Sequence, residues 1–123
     1  MSAPYTPRQV LPRELVRAVD EIRYWFVIGG QAVRCFAPFR PSRDVDFGVE
    51  SAADLEQLLA QLDRGGEVEM QDRSADTAHL VWNGIKVSCF VLEQLVPFVE
   101  DRHLDLTGLL ATKLHAVLDR GLR

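Results

Sequence analysis

The sequence has little cysteine and no long apolar run, and each scarcity argues against a class of protein. Its 123 residues include only two cysteines, Cys35 and Cys89, and these lack the spacing of a metal-binding motif. Because no export signal precedes them, we expect both to be reduced thiols in a core. No segment approaches the roughly eighteen apolar residues of a membrane-spanning helix. We therefore expect a cytoplasmic protein with no membrane partner.

Positive charge is also scarce. Fourteen Lys and Arg residues stand against eighteen Asp and Glu, which gives a formal net charge of −4. This balance argues against a strongly basic nucleic-acid-binding protein, because phosphate neutralisation needs clustered positive charge, although it leaves room for a local basic groove. Arginine supplies all but two of the cations, Lys86 and Lys113. Its planar guanidinium suits bidentate phosphate contacts.

The composition and the order of the periodic segments predict a single domain over residues 1–123. Hydrophobic residues make up 47% of the chain and charged residues 26%, as in ordinary globular proteins. The proline-containing residues 1–12 are expected to form a loose N-terminal arm. The remainder predicts an α/β (α+β) fold with a mixed β-sheet flanked by helices. Helices are predicted at about 12–23, 30–37, 51–65, 91–100 and 106–120, and strands at 24–28, 44–50, 67–71, 77–82 and 85–90.

The hairpin signal at "TAHLVWNGIKVSCF" is the strongest local signal. Asn83-Gly84 suits a two-residue turn of type I′ between two alternating strands. Such a turn places apolar residues opposite one another on one face and polar residues on the other. The expected apolar pairs are Trp82–Ile85, Leu80–Val87 and Ala78–Cys89, and the expected pairs on the opposite face are His79–Ser88 and Val81–Lys86.

Two aspartates at the start of the predicted 44–50 strand are candidate metal ligands. Side chains alternate along a strand, so Asp44 and Asp46 share a face at a spacing of about 7 Å. Mg²⁺ is commonly held by one or two carboxylates together with substrate phosphates. The alternative is a solvated strand face that carries two acids without a ligand.

The glycine pair at the start of the predicted 30–37 helix is a candidate phosphate site. Gly29-Gly30 follows a short apolar strand, and glycine lets a phosphate approach the backbone closely. The N–H groups and the positive dipole end of the helix favour an anion. The alternative is a tight turn without a ligand. The segment is neither a Walker P-loop nor a three-glycine dinucleotide motif.

A strand, a helix and a short loop separate the glycines from the aspartates, so the two predicted strands can lie side by side. In that arrangement triphosphate oxygens rest on Gly29-Gly30, and a divalent cation bridges them to Asp44 and Asp46.

These residues resemble a known superfamily. Gly29-Gly30, thirteen further residues and then Asp44-x-Asp46 resemble the signature of the polymerase-β-type nucleotidyltransferases. The fuller pattern, "GGQAV" followed by Arg40-x-Ser42-x-Asp44-x-Asp46, is similar to the AbiEii-type toxins, which are abortive-infection nucleotidyltransferases of toxin–antitoxin systems. Downstream, "LTGLLATKLHAVLDRG" resembles the helix that carries the lysine of that family, here Lys113. The resemblance spans roughly residues 24–121.

The resemblance implies the nucleotidyltransferase fold and an Mg²⁺-dependent (or Mn²⁺-dependent) reaction. A nucleoside monophosphate would pass from a nucleoside triphosphate to an RNA (tRNA) or protein acceptor, and a cognate antitoxin would be a partner. The implied catalytic residues are Asp44, Asp46 and Lys113, and the two aspartates are the implied metal ligands. The implied nucleotide-binding residues are Gly29, Gly30, Arg40, Ser42 and Lys113.

Independent readings of three of these residues leave alternatives open. On a helix from Leu106, Lys113 falls in the middle of the apolar arc, where it is either a cation beside phosphates or a lysine snorkelling over the edge of the core. Arg40 and Ser42 either orient Asp44 and contact phosphate or are ordinary loop residues in solvent.

The sequence departs from the superfamily pattern in two places. The third carboxylate of the superfamily, on a later strand, would fall at or near Ser88, which cannot carry that charge. His79, paired with Ser88 in the predicted hairpin, is a candidate substitute base because imidazoles titrate near neutral pH. The alternative is a structural histidine. The resemblance also implies an acidic residue and helices beyond the lysine helix, whereas this sequence ends at Arg123, as expected of a minimal or truncated member.

Three hypotheses follow. The first is an active nucleotidyltransferase, which by the resemblance would be the toxin of a toxin–antitoxin system. The second is a catalytically impaired module of the same fold that binds a nucleotide or a partner protein. The third is an unrelated small α/β domain in which the glycine and aspartate spacing is coincidental.

Overall fold

The computed structural model describes residues 3–112, and its helices and strands largely follow the predicted order. The helices are α1 (Pro7–Val10), α2 (Arg13–Val19), α3 (Gly29–Phe36) and α4 (Ala52–Gly65), followed by a 3₁₀ helix (Glu93–Phe98) and a helical segment at residues 106–112. The strands are β1 (Phe26–Ile28), β2 (Val45–Val49), β3 (Val68–Arg73), β4 (Thr77–Trp82), β5 (Ile85–Val91), β6 (Val99–Glu100) and β7 (His103–Leu104). None of the helices described is long and apolar enough to cross a bilayer.

The strands form one mixed sheet, as the sequence predicts. Their order is β3-β4-β5-β2-β1-β7-β6. The β2–β5 and β1–β7 pairs are parallel, and the other neighbouring pairs are antiparallel. Strand β2 therefore lies between β1, which leads into the glycine pair, and β5, which carries Ser88. This order brings three segments of the candidate site onto adjacent strands.

The hairpin prediction is confirmed in turn type and register. Asn83 and Gly84 have φ values of 47° and 81°, as a type I′ turn requires. The β4–β5 register includes the pairs Trp82–Ile85, Leu80–Val87, Ala78–Cys89, His79–Ser88 and Val81–Lys86.

The core lies between one face of the sheet and the helices α2 and α4. Leucines at helical spacing on α4 are fully buried, as are Leu15 and Val19 on α2. The sheet contributes Phe47, Leu80, Trp82 and Val87. Because strand side chains alternate, Asp46, Ser88 and His79 project from the opposite face. Because the apolar side chains pack against the helices on one face, the polar site residues lie together on the other face of the sheet.

The N-terminal segment differs from the expected loose arm. Val10 and Leu11 are buried, and the Tyr5 amide donates to the Cys35 carbonyl at 3.1 Å. The segment folds because "TPRQ" starts α1: the Gln9 side chain accepts a hydrogen bond from the Thr6 amide at 2.8 Å, and Pro7 occupies the first turn. Helix α1 lies against α3, where the Arg34 side chain donates to the Val10 carbonyl at 2.8 Å.

Four other predicted elements have different boundaries in the structure. The helix expected over 12–23 ends at Val19, and the strand expected from residue 24 begins at Phe26. The helix expected over 91–100 is a 3₁₀ helix that ends at Phe98, followed by β6. Pro97 explains the change, because it cannot donate the backbone hydrogen bond of a continuing α-helix. Strand β2 begins at Val45, so Asp44 lies just before it.

Candidate active site

The turn between β1 and α3 places the first glycine directly against an aspartate. Ile28, the last residue of β1, pairs with Asp46 of β2, and Gly29 opens α3 with a φ of +60°. A Cβ atom at Gly29 would lie 2.8 Å from the Asp46 Oδ2 atom. A side chain at residue 29 would therefore need both a left-handed backbone and the space that the carboxylate occupies.

The second glycine lies against the loop before β2. A Cβ atom at Gly30 would lie 2.4 Å from the Ser42 Oγ atom. Each residue of the pair thus faces one predicted site residue, Asp46 for Gly29 and Ser42 for Gly30. The structure brings these four predicted residues together. Close approach favours glycine at both residues, and the left-handed backbone favours it at Gly29 alone.

Asp44 is exposed and lies at the end of the same loop. The Ser42 hydroxyl donates to the Asp44 carbonyl at 3.4 Å, and a side-chain amide from α3 donates to that carbonyl at 3.2 Å. The side chain of Asp44 is close enough for its charge to act on Asp46. Asp44 precedes β2, so the alternation of side chains along a strand does not explain its location. The structure nevertheless places Asp44 and Asp46 close enough for their charges to interact.

The Asp46 carboxyl has a perturbed pKa. Partial burial raises the pKa of Asp46 above the usual aspartate range, and the charge of Asp44 raises it further. His79 and Lys86 act in the opposite direction. An acid with these surroundings is a candidate functional group, because a bound cation would relieve both causes of the shift.

His79 and Ser88 form a hydrogen-bonded pair beside Asp46. Their Nδ1 and Oγ atoms are 2.8 Å apart, and Ser88 pairs with Asp46 across the β2–β5 ladder. Ser88 is buried and His79 is half-buried. The position expected for a third carboxylate therefore holds a serine, and the imidazole lies one strand further along the sheet.

A cavity of about 290 Å³ opens beside the glycine pair. Its size is at the lower end of small-molecule sites. Backbone of the glycine turn, one arginine, three apolar residues and a threonine line it: Gly29, Gly30, Val33, Arg40, Pro41, Leu109 and Thr112. The structure thus brings Arg40 to the predicted phosphate site. Thr112 ends the described residues, and Lys113 lies outside them.

The two acids are the candidate ligands for a divalent cation. Within residues 3–112, no group of three or more His, Cys, Asp and Glu side chains could hold a metal ion. Asp44 and Asp46 fit the other common arrangement for Mg²⁺, in which one or two carboxylates share the ion with substrate phosphates. Oxygen ligands also suit Mn²⁺.

Sequence reasoning did not assign two residues to this site. Lys86 acts on Asp46, and its location two residues before Ser88 on β5 was the available signal. Gln31 is buried in the first turn of α3 and bonds to the Asp44 loop. Its only signal was a polar residue among apolar ones, which does not specify a partner.

Comparisons with known proteins identify the fold. No family model matches the chain, and no curated protein matches its sequence. A solved structure of a "putative nucleotidyltransferase" from Thermotoga maritima matches with a TM-score of 0.63 and 13% sequence identity, over 88% of this chain and 83% of that chain. At this identity the similarity concerns the fold. The mixed sheet flanked by helices is therefore a nucleotidyltransferase-like fold.

Proposed function

We propose that this protein is a metal-dependent nucleotidyltransferase that transfers a nucleoside monophosphate from a nucleoside triphosphate to an acceptor hydroxyl and releases pyrophosphate. The observation that carries the proposal is the contact between the glycine turn and Asp46, where a Cβ atom at Gly29 would lie 2.8 Å from the carboxylate. A phosphate-binding turn and a candidate metal ligand thus meet at one point, beside a cavity that Arg40 also lines.

The residues around the cavity suit a triphosphate. Gly29 and Gly30 begin an eight-residue helix, and the N–H groups of its first turn favour an anion. The Arg40 guanidinium would bind phosphate oxygens in bidentate fashion. Ser42, held against Gly30, would donate a hydrogen bond to phosphate or keep the loop in place.

Asp44 and Asp46 would hold Mg²⁺ or Mn²⁺ together with the substrate. When bound, the ion neutralises charge on the phosphoryl oxygens and polarises the α-phosphate. Because residues 3–112 bring no more than these two carboxylates to the site, we expect the metal and the nucleotide to bind together rather than the metal alone.

His79 is the candidate group for accepting the proton of the acceptor hydroxyl. Ser88 anchors its Nδ1, and an edge-to-face contact with Phe90, at 5.7 Å between ring centroids, also holds the imidazole. Ser88 lies on the strand next to Asp46, where a third acid is expected by resemblance, and His79 lies opposite it on the strand beyond.

The finer proposal is an AbiEii-type toxin of a toxin–antitoxin system, with cytoplasmic activity on an RNA (tRNA) or protein acceptor and a cognate antitoxin as a partner. It is supported by "GGQAV", by the Arg40-x-Ser42-x-Asp44-x-Asp46 pattern and by the downstream helix motif. In this proposal Lys113 neutralises charge on the triphosphate.

A second candidate function is nucleotide or partner binding without transfer. The observation that favours it is Ser88, because a serine stands next to Asp46 where a carboxylate would complete the charge of the site. Such a module would keep the cavity and the metal-dependent affinity for nucleotide but would not release pyrophosphate.

The test is transfer of a labelled nucleoside monophosphate, together with calorimetry of each triphosphate with and without Mg²⁺. We expect Asp46→Asn to abolish transfer while the fold is retained, because the amide cannot carry the negative charge that the metal requires. Asp63→Asn, the same change at an exposed aspartate of α4, is the matched control and should keep wild-type transfer. Transfer retained by Asp46→Asn contradicts the proposal. Metal-dependent binding of nucleotide by the wild type without transfer supports the second function.

A further inference from the structure

A single buried amide holds the loop that carries Asp44. Gln31 is only 2% exposed and immediately follows the glycine pair on α3. Its Nε2 group donates to the Ser42 carbonyl and to the Asp44 carbonyl, each at 3.2 Å. One side chain thus bonds to the loop on both sides of Arg43.

The orientation of this amide follows from its partners. The Gln31 Oε1 atom accepts from the Arg34 Nη1 group at 3.1 Å, while both hydrogens of Nε2 meet carbonyl oxygens. The flipped amide would place an oxygen against two carbonyls and an NH₂ group against a guanidinium. A glutamine is the side chain of this length that offers two donors and one acceptor here.

Arg34 connects this amide to the N-terminal segment. Its Nη1 group also donates to the Val10 carbonyl at 2.8 Å, at the end of α1. The guanidinium is therefore fixed from two sides, and it in turn fixes the Gln31 oxygen. A continuous set of hydrogen bonds runs from α1 through α3 to the loop before β2.

The loop has few other attachments. In the described part of the chain, residues 41–44 make no backbone-to-backbone hydrogen bond outside the regular elements. Pro41, Arg43 and Asp44 are exposed. The two bonds from Gln31, together with the contact of Ser42 on Gly30, therefore set the location of the loop relative to the glycine turn.

We infer that Gln31 is the positioning residue of the site: it fixes the loop of residues 42–44, and through it Asp44 and Ser42, against the glycine turn. Gln31 touches neither metal nor phosphate in this role. Its effect on the metal–nucleotide complex rests on the proposed function, whereas its effect on the loop does not.

The test compares two variants at this residue with one control. Gln31→Leu removes all the hydrogen bonds, and Gln31→Glu keeps an oxygen for Arg34 but removes both donors to the loop. The control is Trp82→Phe, which removes another buried side-chain-to-backbone bond, from Trp82 Nε1 to the Leu62 carbonyl at 2.8 Å, in the core. The readouts are backbone amide exchange at residues 42–46, calorimetric affinity for a non-hydrolysable nucleoside triphosphate with Mn²⁺, and thermal unfolding.

Positioning predicts a pattern that a loss of stability alone does not give. Both Gln31 variants should exchange faster at residues 42–46 and bind the Mn²⁺–nucleotide complex about 10- to 100-fold more weakly, as is typical when a group that orients metal ligands is removed. Trp82→Phe should lower the unfolding temperature and leave both other readouts unchanged. Unchanged exchange at 42–46 in both Gln31 variants overturns the inference. If the wild type binds no nucleotide, the proposed function fails, and the exchange comparison still decides the role of Gln31.

Discussion

The raised pKa of Asp46 can be tested without any substrate, through the dependence of folding stability on pH. Burial and the charge of Asp44 raise the pKa of Asp46, so the folded protein holds this proton more tightly than the unfolded chain does. The stability that comes from the protonated form is fully present below the ordinary aspartate pKa. It is lost as the pH rises through the raised pKa of Asp46. At neutral pH the ionised group therefore destabilises the fold.

We accordingly predict that Asp46→Asn raises the stability of the metal-free protein at neutral pH while it abolishes transfer. The gain should shrink as the pH falls below the ordinary aspartate range, where the wild-type carboxyl is protonated in both states. Thermal unfolding of both proteins in EDTA across acidic to neutral pH measures this difference. A neutral-pH unfolding temperature lower than that of the wild type would show that the carboxylate is not penalised by its surroundings.

The two left-handed glycines of the described chain offer a matched comparison at the residue scale. Gly29 and Gly84 have φ values of +60° and +81°, but a Cβ at Gly84 would meet nothing within 4 Å, whereas one at Gly29 would meet Asp46. Alanine at either residue should cost about 1–2 kcal/mol of folding free energy through its backbone conformation. Only Gly29→Ala should also displace the carboxylate and weaken metal–nucleotide binding.

Denaturant unfolding measures the first effect in both variants, and calorimetry with Mg²⁺ and a triphosphate measures the second. Wild-type nucleotide affinity in Gly29→Ala would mean that the contact with Asp46 does not matter for binding. A loss of affinity in Gly84→Ala would mean that the backbone strain acts across the sheet rather than at the site.

At the scale of helices and strands, the sequence predicted the features that depend on residues close together in the chain, such as a turn or a helix cap. The Asn83-Gly84 turn and alternating residues determine the hairpin register, and Ser51 begins α4, where its hydroxyl accepts from the Asp54 amide at 3.2 Å. The strands β6 and β7, of two residues each, are too short for any periodic signal. Helix α1 has four residues, so its capping residues were its only signal.

The candidate site was predictable only in part, for the same physical reason. The glycines and the aspartates lie on elements that follow one another closely in the sequence, so their proximity could be predicted, and the structure brings them together. The roles of Gln31 and Lys86 depend on which strands and loops become neighbours, and the sequence pattern does not specify this. Asp44 was predicted as a strand residue because one residue of error at a strand start is enough to change its description.

The cap of α4 gives a prediction at the element scale that separates stability from function. Ser51→Ala removes the hydroxyl acceptor and should cost about 1 kcal/mol of folding free energy, while Ser51→Thr should restore most of it. Because α4 packs on the core face of the sheet, nucleotide affinity should not change in either variant. Denaturant unfolding and calorimetry test the two expectations. Reduced nucleotide affinity in Ser51→Ala would show that α4 also supports the site.

At the scale of the whole molecule, the charge balance predicts that the proposed nucleotide binding requires a divalent cation. The formal net charge is −4, and the two site acids add local negative charge where a triphosphate would bind. Among the described residues, Arg40 is the one cationic residue that lines the cavity. Its single positive charge cannot balance the negative charges of both acids and a triphosphate. A divalent cation that neutralises Asp44 and Asp46 removes this repulsion.

We therefore predict that Mg²⁺ and a triphosphate raise the unfolding temperature together and that neither does so alone. Free ligand at 100 times its dissociation constant stabilises the fold by about 2.7 kcal/mol. At about 4 °C per kcal/mol for a domain of this size, the shift should be about 10 °C. Differential scanning fluorimetry of the wild type with the triphosphate, in Mg²⁺ and in EDTA, measures this shift in unfolding temperature. The control variant Asp63→Asn should show the same shift as the wild type. Asp46→Asn should show a much smaller shift, because Asp44 would then be the one carboxylate left at the site among the described residues. An equal shift in EDTA would mean that the nucleotide binds without a metal ion and without help from Asp44 and Asp46. The metal-dependent mechanism would then be wrong.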